Sequence, residues 1–417
     1  MTATPLRVTC CIAGGGPAGV MLGFLLARAG VNVAVLERHK DFFRDFRGDT
    51  IHPSTLQIMH ELGLLDAFLK VRHEEIRQLR GVVGGTEVHV ADFTHLPTVC
   101  KFIALMPQWD FLNFLSAQGK RYSGFGLLME TEAKDLIIAG ERVVGVRAEA
   151  PGGEIEIRAD LVVAADGRHS TLRERAGFVA DNMGAPMDVL WMRFSRRSDD
   201  PEQTGGYVNY GRILVTLNRD DYWQCAFVIR KGGYDAVRER GLDALQQEIV
   251  RLAPFLADRV GELKDWDDVK LLTVAVDRLK KWWRPGLLCI GDAAHAMSPI
   301  GGVGVNVAVQ DAVAAANILA APLRENRLSN DHLEQVQRRR TLAMRVIQAI
   351  QLAVQQNVID RVLNSDEPIN APWQVKLFNL FPVLRRVPAR IVGVGVRPEH
   401  VRTPPHPSAL AAEAPAG

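Results

Sequence analysis

The sequence predicts an α/β protein in which a nucleotide-binding domain is interleaved with an α+β domain containing a mostly antiparallel sheet, followed by C-terminal helices. Three observations predict it. An apolar run leads directly into Gly14-Gly15-Gly16-Pro17-Ala18-Gly19. Two later apolar runs each end in an acid beside a glycine, Asp166-Gly167 and Gly291-Asp292. Between those two, from about residue 187 to 276, the pattern changes to alternating strands.

Residues 7–13 (RVTCCIA) form a largely apolar, Cys- and Val-rich run, as a buried parallel strand requires. The glycines follow at once, and residues 20–29 show a helical apolar face, so strand, tight turn and helix stand in the order of a Rossmann-like unit. Gly14 permits the turn. Gly16 removes a side chain that would hold a pyrophosphate away from the helix N-terminus, and Gly19 lets the helix lie close on the sheet, with Pro17 and Ala18 between them. A second apolar run, residues 31–36, ends in Glu37 and Arg38. Glu37 stands about 20 residues beyond the glycines, where a carboxylate accepts hydrogen bonds from a ribose diol. A secretory apolar region over residues 10–29 is disfavoured by its five glycines, its proline and the lack of a basic leader beyond Arg7.

Residues 161–165 and 287–290 read as short buried strands. Ligands of open α/β sheets bind at the carboxyl ends of strands, so Asp166, Gly167, Gly291 and Asp292 lie where an extended dinucleotide would pass. Asp292 can accept from a sugar-alcohol hydroxyl. Gly301 to Gly304 then open a helix over residues 305–319, whose first amides and positive dipole end suit a developing negative charge. Asp311 reads as a surface position on that helix, and His295 as a structural histidine.

In the intervening region, residues 189–195, 207–218 and 222–230 read as strands, with a polar turn at Asn218-Arg219-Asp220-Asp221. Strands near residues 82–90 join the same sheet. Along 222–230, Trp223 and Cys225 share one face with Phe227 and Ile229, while Tyr222 and Gln224 share the other. One face packs a core and the other roofs a cavity; the sequence leaves open which. Residues 332–362 read as a long buttressing helix, and 373–396 as basic, apolar helix.

Composition excludes several functions. The 50 basic and 48 acidic residues nearly balance, so no nucleic-acid partner is implied. The five cysteines contain no C-x-x-C, which suits reduced thiols and a cytoplasmic location. No metal site is expected, and no apolar run reads as a membrane span. Arg47-Gly48-Asp49 spells an adhesion tripeptide without a secretory context, and Trp282-Trp283 lacks the surroundings of a halogenase motif.

Taken in order, these motifs resemble the single-component FAD-dependent aromatic hydroxylases, the class of para-hydroxybenzoate hydroxylase, over nearly the whole chain. The segment from Arg47 to Leu56 resembles the one whose arginine binds FAD phosphate in that family. Residues 107–112 resemble the helix start whose glutamine, here Gln108, contacts the cofactor's nucleotide side. Residues 160–170 and 286–295 resemble the second and third fingerprints. The family's P-x-x-G-Q-G-x-N stretch reads Pro299-Ile300-Gly301-Gly302-Val303-Gly304-Val305-Asn306, with Val303 in place of the glutamine.

The resemblance implies non-covalent FAD, held also by Gly304, Val305 and Asn306. It places Pro299, Gly301 and Gly302 at the reacting edge of the ring. NADH or NADPH would serve as transient electron donor, and dioxygen would hydroxylate an aromatic or polycyclic small molecule through a flavin C4a-hydroperoxide. A dehydrogenase or reductase acting without oxygen insertion is the alternative, and a non-enzymatic FAD-binding protein a third reading. Tyr207, Asn209, Trp223 and Gln224 are the candidate substrate residues. The expected FAD-binding parts are residues 1–75, 98–182 and 281–364; the substrate domain comprises a hairpin at 76–97 and residues 183–280. A C-terminal helical segment (365–402) and a disordered tail (403–417) complete the chain, as a monomer or homodimer.

Overall fold

The computed structural model describes residues 5–43, 48–202, 204–365, 367–369 and 373–410. Its first lobe is built on an eight-stranded sheet. The central path runs Trp283–Arg284, Leu287–Cys289, Gly153–Ala164, Leu6–Ala13, Val33–Leu36, Phe125–Leu128. From Leu287–Cys289 onward these strands are parallel, and their central residues are apolar because both faces are covered. The helices Pro17–Arg28 and Gly304–Arg324 are buried over most of their length against this sheet. The segment Ile300–Arg324 is long and apolar enough to cross a membrane, but 78% of its apolar window is buried inside the molecule. Here it is a core helix, which the reading of the sequence for apolar runs did not anticipate.

The second lobe is a seven-stranded sheet. Its order is Lys270–Leu272, Met187–Ser195, Tyr222–Arg230, Arg212–Asn218, Gly205–Asn209, Gln78–Val83, Thr86–Asp92. The hairpin Gln78–Val83 and Thr86–Asp92 joins it through a parallel pairing with Gly205–Asn209. The single strand expected over residues 207–218 is instead a hairpin. Tyr210 and Gly211 both adopt positive φ (49° and 72°), the geometry of a tight two-residue turn matched to strand twist. The turn at Asn218-Arg219-Asp220-Asp221 forms as expected, between Arg212–Asn218 and Tyr222–Arg230.

Helix Leu242–Leu252 covers one face of this sheet, burying Leu190, Met192, Phe194, Trp223, Cys225 and Phe227. The other face carries Met187, Val189, Ile213, Ala226 and Val228, and meets Ile300, Ile359 and Val362 from the first lobe. The long helix Asn330–Val354 continues through a five-residue π-helical segment, Gln355–Ile359, into Asp360–Leu363. The basic stretch forms the helices Trp373–Leu380 and Arg386–Gly393.

Residues 403–410 differ from the disordered tail expected there. Arg28 Nη1 donates to the Thr403 carbonyl, His406 N donates to the Arg28 carbonyl, and Leu410 bridges to Tyr122. Gly30 is a glycine for this reason: a Cβ there would stand 2.9 Å from the His406 ring. Residues 411–417 lie outside the described residues. All five cysteines are buried and unpaired, and burial pushes the Cys11 thiol up to about 12.

Candidate FAD and active site

At the nucleotide end the glycines act through space. Gly14 has φ +108°, and a Cβ on it would stand 2.3 Å from the Ala165 carbonyl oxygen. A Cβ on Gly19 would stand 1.9 Å from the Gly14 carbonyl oxygen, so helix and strand touch backbone to backbone. Gly16 is the opposite case. No atom lies within 4 Å of where its Cβ would be, leaving open space in front of the N-terminus of Pro17–Arg28. Glu37 closes the strand Val33–Leu36; its Oε2 accepts from Gly15 N at 3.2 Å and its Oε1 from His39 N at 3.0 Å. Arg38 points outward, 4.0 Å from Glu132 with its side chain 59% exposed. Arg47 lies outside the described residues.

Asp166 takes an internal role. One oxygen accepts from Ser170 Oγ at 2.5 Å and the other from Leu172 N at 3.2 Å, so the carboxylate caps the helix Thr171–Arg175. Burial pushes its pKa up against these hydrogen bonds. The expected cofactor contact through this carboxylate is therefore corrected: Gly167, at φ +90° with no atom within 4 Å of a would-be Cβ, is the open position. Asp292 remains half-open, its carboxylate 3.6 Å from Arg168 Nη2.

Asp311 also departs from expectation. It is wholly buried and accepts from Gly291 N at 3.0 Å and Arg340 Nε at 2.8 Å, and pairs with His295 Nε2 at 2.7 Å. Burial pushes its pKa up, but the His295 and Arg340 charges outweigh this and hold it at about 2. His295 also packs against Trp282 in a tilted arrangement, ring centroids 4.9 Å apart. It is structural, as the sequence reading has it, and its pairing leaves it unsuited to act as a base.

The ring end is a glycine turn clasped from both sides. Gly301 and Gly302 adopt positive φ (76° and 62°). Thr50 Oγ1 donates to the Gly302 carbonyl at 2.7 Å, and a Cβ on Gly302 would meet that hydroxyl at 2.4 Å. Asn306 ties the helix start to the neighbouring segment: its Oδ1 accepts from His52 N at 2.8 Å and Thr55 Oγ1 at 2.7 Å, and its Nδ2 donates to the Thr50 carbonyl at 3.1 Å. Its side chain is thus engaged within the protein. Gln108 Nε2 donates to the Gly48 carbonyl at 3.2 Å, and Val305 packs so close that a Cβ on Gly48 would lie 2.9 Å from it. Around Gly304, by contrast, no atom lies within 4 Å of a would-be Cβ. The turn therefore presents open backbone at the positive end of a 21-residue helix, a fit to an anionic ring edge.

The substrate candidates divide between the two faces of the second sheet. Trp223 is fully buried beneath Leu242–Leu252, and its Nε1 donates to Asp200 at 2.8 Å. Tyr207 packs on the same side, against Phe255 at 6.1 Å between ring centroids. Both are corrected from cavity roof to core, because helix Leu242–Leu252 covers their face. Asn209 accepts from Tyr210 N and from Ile369 N, at 3.0 and 3.1 Å. Gln224 is the one that looks toward the first lobe: it donates to Asp49 Oδ2 at 2.9 Å, beside the ion pair of Asp49 with Arg219. Burial raises the Asp49 pKa, with Arg219 opposing it.

Sequence reasoning missed Asp49, Arg219 and Arg340, together with the buried glutamines Gln348, Gln351 and Gln355. The available signal was polar residues at three- and four-residue spacing on a helix otherwise read as an apolar buttress. Among the described residues no group of His, Cys, Asp or Glu is placed to hold a metal ion.

The comparisons with known proteins agree with this geometry. The family model described as FAD binding domain matches residues 7–350. A 6-methylpretetramide 4-monooxygenase of Streptomyces rimosus is 34% identical over 335 residues, 79% of each chain. The aklavinone 12-hydroxylase DnrF of Streptomyces peucetius is 27% identical, over 78% of this chain and 70% of its own. Other relatives are longer, this chain spanning 56% to 66% of their length. The solved OxyS anhydrotetracycline hydroxylase of Streptomyces rimosus superposes with TM-score 0.73 at 20% identity, covering 93% of this chain and 76% of that one. PqsL of Pseudomonas aeruginosa gives TM-score 0.73 at 22% identity, covering 86% and 98%; at such identities both show the shared fold. The chain belongs to the FAD-binding family of aromatic-compound monooxygenases.

Proposed function

We propose that this monooxygenase hydroxylates a polycyclic phenolic substrate of polyketide type, with NADH or NADPH as electron donor. The observation that carries the reading is the apolar sheet face, Val189, Ile213, Ala226 and Val228, turned toward Ile300 of the glycine turn. A flat, apolar wall of this kind suits fused rings better than a small carboxylate. The relatives named for 6-methylpretetramide and aklavinone support the substrate class.

Gly14, Gly16, Gly19 and Glu37 would hold the adenosine diphosphate half of FAD. Asp292, Gly304, Val305 and the backbone beside Gly167 would hold the remainder. When bound, FAD supplies hydride acceptance and dioxygen activation. The chain supplies the rest. The amides that open Gly304–Arg324 stabilise negative charge without reorganising, and the apolar wall excludes water. Gln224 offers a polar group on the same sheet face, directed at Asp49.

Turnover in labelled dioxygen with polycyclic phenols tests the proposal: the product is expected to gain one labelled oxygen atom while NADH or NADPH is consumed. A product formed without label would replace the hydroxylase reading with a dehydrogenase.

A further inference from the structure

The long helix Asn330–Val354 is expected to pack as a partly apolar buttress, and it buries Leu333, Val336, Ala343, Met344 and Ile347, yet toward its C-terminal end and into the following turn the inner face becomes polar. Gln348, Gln351 and Gln355 are respectively 0%, 4% and 0% exposed. Burying a primary amide is costly unless it is hydrogen-bonded, and nearly all the bonds of these three go to one short segment, residues 296–300. Gln348 Nε2 donates to the Ala296 carbonyl at 3.1 Å and to the Asp277 carbonyl at 2.9 Å. Gln351 Oε1 accepts from Ser298 N at 3.2 Å, while its Nε2 donates to the carbonyls of Ser298 and Ile300, both at 2.9 Å. Gln355 Nε2 donates to Ser298 Oγ at 2.9 Å, and the same hydroxyl oxygen accepts from Ile300 N at 3.3 Å.

This segment holds itself only in part, through Gly302 N donating to the Pro299 carbonyl at 3.0 Å and Ile300 N to Ser298 Oγ at 3.3 Å. Pro299 lacks an amide hydrogen, and positive φ at Gly301 and Gly302 breaks any regular ladder. Its backbone groups are therefore held by one helix on one side and by Thr50 on the other. Gln355 also begins the π-helical segment Gln355–Ile359. Such segments interrupt α-helices and are frequent at functional sites. Just beyond it, Ile359 and Val362 join the apolar face proposed to receive substrate. One continuous helix thus touches both the glycine turn and the substrate wall.

We propose that Gln351 and Gln355 are positioning residues that fix the 298–302 turn, and through it the first amides of Gly304–Arg324, against the flavin ring. They thereby set the reduction potential of bound FAD rather than its affinity. The proposal rests on the reading that the ring lies at this turn. A helix start held rigidly favours the added negative charge of reduced flavin; a loosened one favours it less.

The test uses the FAD-loaded protein and the near-isosteric variants Gln351→Met and Gln355→Met. Gln337→Met serves as the control on the same helix, since the Gln337 side chain bonds to Trp282 N and the Lys280 carbonyl, away from the glycine turn. The midpoint potential is measured by equilibration with a reference dye, and affinity by fluorescence of released FAD. Gln351→Met is expected to weaken the reduction equilibrium about tenfold, a shift of ~30 mV to more negative potential for a two-electron couple. Gln355→Met should shift it less and in the same direction. Affinity for oxidised FAD should stay within about threefold, and Gln337→Met should leave the potential unchanged. A wild-type potential in Gln351→Met, or an equal shift in Gln337→Met, overturns the proposal. Should Gln351→Met fail to fold, Ser298→Ala, which deletes only the hydroxyl between Gln355 and Ile300, must show the negative shift. A wild-type protein whose FAD has the potential of free FAD would overturn the placement of the ring itself, an outcome distinct from a displaced wild-type potential that Gln351→Met leaves untouched.

Discussion

The two ends of the proposed cofactor site are made by different physics. At the nucleotide end, three glycines within six residues shape a turn by what they lack. Gly14 and Gly19 let backbones touch, and Gly16 leaves a void. At the ring end the shape comes from side chains far apart in sequence. Thr50, Asn306 and the buried glutamines converge on a turn that has little regular structure of its own, and Asp311 with Arg340 ties down the Gly291 backbone before it. Local backbone chemistry builds the first and long-range polar burial the second. The two ends should therefore fail differently when altered.

The largest effect is expected at Asp311, at the ring end. Asp311→Ala leaves His295 without this partner in the core and Arg340 with Glu399 in its place, 3.6 Å away, and breaking a buried ion pair costs about 3–5 kcal/mol. Urea unfolding of the apo protein should show that loss before any question of cofactor arises. A loss under 1 kcal/mol would mean that the network is not a structural keystone. Asp292→Ala is the contrast: its half-open carboxylate should leave apo stability nearly unchanged while weakening FAD by about tenfold, the worth of one hydrogen bond of roughly 1.4 kcal/mol.

Acid should also strike the ring end first. His52, buried against Val392, has its pKa pushed down to about 4 by burial, against the opposing effect of its hydrogen bond to the Val392 carbonyl. The folded state thus binds this proton more weakly than the unfolded chain does. The stabilisation is whole above pH 6.5 and declines as pH falls, with the loss complete near pH 4. It amounts to about 3 kcal/mol, at about 1.4 kcal/mol per pKa unit. Stability of wild type and His52→Phe across pH 4–7 measures it; parallel curves would remove His52 from the account.

At the nucleotide end the effects are smaller and separable. Gly14→Ala forces a Cβ into the Ala165 carbonyl and should cost about 1–3 kcal/mol of apo stability, as overpacking does. Gly16→Ala meets no atom within 4 Å, so apo stability should hold while FAD affinity drops about tenfold, about 1.4 kcal/mol. Undiminished affinity in Gly16→Ala would show that the void is not a phosphate cradle.

The same division explains what the sequence could disclose. Strand, glycines, helix and Glu37 are contiguous, so spacing alone assembles them. Asp311 was read as surface because a polar residue on an amphipathic helix ordinarily faces water; its partner Arg340 lies 29 residues away, beyond any periodicity. The two faces of Tyr222–Arg230 were visible as an alternation, yet alternation has no sign. Helix Leu242–Leu252 decides that Trp223 and Tyr207 go inward and Gln224 faces Asp49. The hairpin at Tyr210-Gly211 was missed because tyrosine rarely takes a left-handed conformation.

The strand Leu6–Ala13 and the segment ending at Leu410 belong to the same lobe. On the ribosome this arrangement sets an order of events. The sheet of the second lobe, whose last strand ends at Leu272, can close while the final third of the chain is still being made. The cofactor lobe must wait, because its fifth parallel strand, its glycine turn and the latch over Gly30 emerge last. Until then the edge at Val162–Ala164 stays open for strand pairing, the rest of that strand being paired with Arg142–Ala150, and such exposure invites aggregation during synthesis. Early FAD would not relieve it, since the glycine turn proposed to meet the ring is not yet made.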